Sequence, residues 1–135
     1  MIDWSEVNYW AVLAATVSTM ILGFLWYSPV LFGNAWMKQI GKKKEEMSGG
    51  GPLTYILTAV TALVGAWMLA LLLTLADKTT ISSGLTVGLL VGLSISAKIG
   101  MNYLFEGKKI GLYLITIGYH LVSYLVAGLI IGAMQ

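Results

Sequence analysis

The chain has 135 residues, 58% of them hydrophobic and 10% charged, with a formal net charge of +2 and a mean hydropathy of +0.83. One domain of that composition belongs in lipid rather than in water. The small net charge, carried by lysines grouped in loops, argues against nucleic acid as a partner, and the absence of cysteine excludes disulfides, thiolate metal sites and a cysteine nucleophile.

Asp3 and Glu6 stand where a signal peptide carries basic residues, so the first apolar run is expected to remain as a span. Four runs reach the ~20 apolar residues that cross a hydrocarbon core. They predict helices at residues 9–32, 53–76, 81–105 and 110–134, with a long loop at 33–52. The expected architecture is all-α: a polytopic four-transmembrane-helix bundle forming a single domain over residues 1–135.

The first run ends in aromatic residues. Trp26, Tyr27 and Trp36 bracket headgroup depth, where an apolar ring with one polar group is most at home. Pro29 disfavours helix at Ser28 and lacks an N–H, so the helix should kink or stop within a turn of it. Trp26, Tyr27, Ser28, Pro29 and Trp36 are therefore read as an interfacial anchor or a gate on the cytoplasmic side. Asn34 is expected to cap a short surface helix at 35–40 that rests Trp36, Met37 and Ile40 on the membrane. Lys42, Lys43, Lys44, Glu45 and Glu46 read as a solvated charge run, and Ser48 to Pro52 as a flexible joint.

Lysines set the orientation, because positive loops stay cytoplasmic. The first and third loops hold six (Lys38, Lys42, Lys43, Lys44, Lys108 and Lys109) against Lys78 alone in the second. Both ends of the chain are therefore expected outside.

In the third run Gly84, Gly88, Gly92, Ser96 and Gly100 recur every four residues, a small-residue stripe that lets helix backbones approach closely in lipid. Ser94, Lys98, Asn102 and Glu106 recur with the same period, two positions out of phase, on the far side of the helix. The fourth run repeats the division, with Gly111, Gly118, Gly128 and Gly132 against Tyr113, Thr116, His120, Ser123 and Tyr124. The expectation is that the two polar stripes line one interior cavity, while the glycine faces pack on the first two helices or on another protomer of a homo-oligomer.

Lys98, roughly 10 Å deep, either snorkels to the surface or meets Asn102. His120, near mid-bilayer, is either a neutral interhelical hydrogen-bonding group or a proton or ligand contact. Ser123 follows it by one helical turn, yet no acid orients the pair, so neither a hydrolase nor another enzyme is expected. No ligand set for a metal or cofactor is present. Leu31-Phe32-Gly33 and Leu104-Phe105-Glu106-Gly107 each close one hairpin, a weak internal likeness of the kind seen in transporters.

Trp26-Tyr27-Ser28-Pro29, Leu31-Phe32-Gly33, Trp36-Met37, Asn102-Tyr103-Leu104-Phe105-Glu106-Gly107 and Gly118-Tyr119-His120-Leu121 together resemble the bacterial membrane family called domain of unknown function 1761. The resemblance implies a small four-helix protein of the bacterial plasma membrane with no established activity. The functional expectation is a homo-oligomeric transporter or channel for a small solute, anion or proton, with membrane lipids and itself as partners. The alternative is a non-transporting scaffold or lipid-interacting protein.

Overall fold

The computed structural model describes residues 2–41, 51–76 and 78–135, and among them every regular element is helical. Four helices are long and apolar enough to span a membrane: α1 Tyr9–Trp26, α3 Gly51–Leu73, α4 Ile81–Glu106 and α5 Ile110–Met134. The short α2, Gly33–Ile40, lies between the first two.

α1 begins where the Asn8 side chain accepts the backbone N–H groups of Trp10 and Ala11 at 3.0 and 3.2 Å, filling first-turn donors that no helical carbonyl reaches. It stops six residues before the expected 32. The reason is the turn around Pro29, in which Phe32 N–H donates to Trp26 O and Gly33 N–H to Ser28 O, both at 2.9 Å. Residues 27–32 are spent reversing the chain rather than crossing lipid.

Asn34 does not cap α2. The cap position is Phe32, without a side-chain bond, and Asn34 lies inside the helix. Gly41 closes α2 in the left-handed region at φ 72°, where glycine carries no Cβ penalty. The Lys42 to Glu46 charge run and residues 48–50 of the expected joint lie outside the described residues. Gly51 and Pro52 already belong to α3, and proline fits a first turn because its missing N–H has no partner there. Thr80 and Ser83 form a reciprocal capping box at the start of α4.

The core lies toward the end where α1 starts and α5 finishes. Ala11, Val12 and Ala15 of α1 pack there against Ala66, Leu69, Ala70 and Leu73 of α3 and against Ala127 and Ile131 of α5. Polar bonds clasp the same end. Gln135 donates from Nε2 to Ala70 O at 3.0 Å and accepts Asn8 N–H at 3.1 Å, Asn8 Nδ2 donates to Met134 O at 2.9 Å, and Asp3 N–H donates to Thr74 Oγ1 at 3.0 Å. Gln135→Ala removes two of these bonds and is expected to cost about 1–2 kcal/mol. The check is the thermal midpoint of the detergent-solubilised protein, and an unchanged midpoint would show that the clasp does not hold the bundle.

At the other end α3 is less closely held. Residues 52–58 are exposed, and Phe24 against Tyr55, centroids 6.1 Å apart, is an aromatic contact of this half with α1. α4 and α5, by contrast, touch along most of their length.

The glycine stripes explain that contact and correct an expectation. A Cβ built on Gly84 would strike the carbonyl oxygen of Gly128, one on Gly128 that of Gly84, and one on Gly132 that of Thr80. The small face of α4 therefore packs on α5 itself, and not on α1 or α3. The glycines of α5 serve several neighbours: Gly118 faces the Trp26 ring and Gly111 the Gln39 side chain of α2.

Candidate functional site

The polar residues expected to share one cavity fall into three places. Ser94, Lys98, Asn102 and Glu106 are exposed on the outside of α4. This follows from geometry, since a helix whose glycine face is pressed on α5 must turn its opposite face away. Tyr113 and Thr116 are occupied near the α2 end of the bundle. The Tyr113 hydroxyl donates to Ser96 O at 2.7 Å, and Thr116 Oγ1 lies 3.1 Å from the Tyr103 hydroxyl. Only His120 and Ser123, of the eight, line the partly open cavity between α1, α3 and α5.

That cavity has a volume of about 310 Å³, within the range of small-molecule sites. α1 contributes Thr19 and Met20, α3 contributes Thr58, Thr61 and Gly65, α4 contributes Ile95, and α5 contributes Tyr119, His120, Ser123 and Tyr124. It lies near the midpoint of the 25-residue α5 and is partly open. α3 meets α4 only sparingly, so the side wall between these two helices is thin.

The chemistry of the lining is neutral. Thr58 Oγ1 donates to Thr54 O and Thr61 Oγ1 to Thr58 O, both at 2.7 Å, and Ser123 Oγ donates to His120 O at 3.0 Å. With their protons given to the helix backbone, these hydroxyls face the cavity as acceptors. The His120 ring has no hydrogen bond to a described residue and lies 5.3 Å from the Tyr119 ring. One of its nitrogens donates and the other accepts. Among the described residues no lysine or carboxylate is part of the lining, and the bond from Ser123 to a backbone carbonyl leaves its hydroxyl unactivated by His120.

The aromatic corner adjoins the cavity through Tyr119. Trp26 Nε1 donates to Ile115 O at 2.9 Å, the Tyr27 ring lies 5.3 Å from Trp36 and 5.7 Å from Tyr119, and the Tyr119 hydroxyl donates to Thr19 O at 3.2 Å. Ser28 Oγ donates to Leu25 O at 2.7 Å, and Pro29 sits exposed in the turn. Trp26 and Tyr27, through Ile115 and Tyr119, bolt the end of α1 to α5.

The threonines were missed from sequence. Thr54, Thr58, Thr61 and Gly65 recur at four, three and four residues, which is helical spacing. Threonine in an apolar run usually bonds its own helix, so the stripe reads as filler until the partner helices are in place.

Fold and cavity thus define a small multi-span helical membrane protein with a neutral, hydroxyl-rich cavity at mid-span. The chain belongs to the family described as Protein of unknown function (DUF1761), which matches residues 10–132. No curated protein and no solved structure matches it.

Proposed function

We propose that the protein binds a small uncharged solute bearing hydrogen-bond donors at mid-span and carries it across the bacterial plasma membrane. The carrying observation is the cavity of about 310 Å³ whose lining brings His120 together with Thr58 and Thr61 of α3 and Ser123 of α5, hydroxyls that give their protons to their own helices. A solute with N–H or O–H groups finds acceptors there, whereas an ion finds no counter-charge and keeps its desolvation cost. Lys98, the cation within the α4 span, lies outside the cavity and so does not favour an anion there. The lysine-rich α2 end faces the cytoplasm in this reading. Further copies of the chain belong to it too, since Ser94, Lys98, Asn102 and Glu106 face outward, and polar side chains in lipid need partners.

The chain lacks cysteine, so single substitutions report water access directly. Ser123→Cys and Thr61→Cys are expected to react with a membrane-impermeant thiol reagent, while Leu129→Cys on the exposed apolar face of α5 is not. Equal, slow labelling of all three would show a dry cavity and remove the proposal.

A further inference from the structure

A second hollow lies on the outside of the bundle, where α4 ends and α5 begins, with a volume of about 760 Å³. Its walls are apolar: Ala97, Gly100, Met101, Leu104, Phe105 and Ile110. Tyr103 and Tyr113 also line it, with ring centroids 5.9 Å apart. Its rim is cationic. Lys108 Nζ sits 4.6 Å above the Tyr103 ring and 2.8 Å from the Glu106 carboxylate, and Lys109 follows as the cap residue of α5. Lys109 offers no side-chain acceptor to the first-turn amides of α5, which leaves N–H groups and the positive end of the helix dipole beside the two lysines. The Glu106–Lys108 hydrogen bond raises Lys108 above its ordinary value, so the ammonium is charged throughout the physiological range.

We infer that this groove holds one anionic phospholipid, with an acyl chain against Ala97, Met101 and Leu104 and the phosphate on Lys108, Lys109 and the first turn of α5. The position suits a lipid and no soluble ligand. The apolar part runs along two membrane-spanning helices, and the charges sit at their ends, in the same order as tail and headgroup. Among the described residues at the groove, Glu106 is the one opposing charge. It competes with the phosphate for Lys108, so it sets the affinity without filling the groove.

Native mass spectrometry of the detergent-solubilised protein with phosphatidylglycerol or phosphatidylcholine tests this. Phosphatidylglycerol is expected to stay bound at collision energies that strip phosphatidylcholine. The double variant Lys108→Gln/Lys109→Gln is expected to lower that retention about thirtyfold, as two interfacial lysines contribute. Glu106→Gln should raise it by freeing Lys108. Ala97→Trp, which fills the groove without touching the charges, should lower it. Lys38→Gln, one positive charge fewer on exposed α2, should leave it unchanged. Equal retention of the two lipids, a fall with Glu106→Gln, no effect of Ala97→Trp, or a loss with Lys38→Gln as large as with the double variant would each overturn the assignment. So would displacement of the lipid by glycerol phosphate alone. Thermal midpoints of the variants separate lost binding from lost fold.

Discussion

Gly84→Leu and Gly128→Leu are each expected to abolish the folded bundle in detergent. An added Cβ at either position lands on the other's carbonyl oxygen, and backbone atoms cannot rotate aside. Overpacking a helix contact typically costs about 1–3 kcal/mol, and here the opposing atoms are fixed, so the upper end or more applies. Leucine adds three more carbons against the same fixed backbone, so α4 and α5 must part along their seam, and a domain stable by only about 5–15 kcal/mol does not keep its fold without that contact. Gly84→Ala gives a graded version, and Gly23→Ala the control, because a Cβ at Gly23 meets the Tyr119 side-chain oxygen at 3.2 Å, and a side chain can shift. Denaturation followed by tryptophan fluorescence should rank Gly84→Ala well below Gly23→Ala. Equal stability of the two would refute the backbone contact between α4 and α5.

Gly65→Leu is expected to close the mid-span cavity without unfolding the protein. Gly65 lines the cavity, and a Cβ there meets the Tyr124 hydroxyl oxygen at 3.1 Å with that ring's carbon next at 3.9 Å. The extra side chain therefore extends into open space after a small movement of one tyrosine. Thiol labelling of Ser123→Cys in this background should fall to the level of the Leu129→Cys control, while the thermal midpoint holds or rises as apolar surface is covered. Labelling that persists would mean water reaches Ser123 by another route, and solute carriage through this cavity would lose its support.

Much of the fold was legible from residues whose effects are local. Hydropathy marked the four spans, Pro29 marked the stop of α1, and the glycine period marked a face built for close approach. Choice of partner was harder to read. Period tells which residues share a face, but not which helix that face meets, so Gly84, Gly88 and Gly92 were expected on the first two spans or on another protomer, although the complementary glycines stood on α5. Once α4 and α5 join through those faces, Lys98 and His120 cannot share a cavity. His120 and Ser123 were recognised because an ionisable group is conspicuous in an apolar run. Thr58 and Thr61 were not, because their hydroxyls bond locally, and they and Thr19 become a site only when α1, α3 and α5 converge.

The uneven grip on α3 makes that helix a lever. Its 23 residues extend about 35 Å at 1.5 Å per residue, so a tilt of roughly 10° about the end held by Gln135 and Thr74 sweeps the far end through about 6 Å. Bilayers of different thickness tilt a span that mismatches them, so the aperture beside Thr58 and Thr61 is set in part by the surrounding lipid. A thinner membrane and a thicker one would then present the same polypeptide with different mouths.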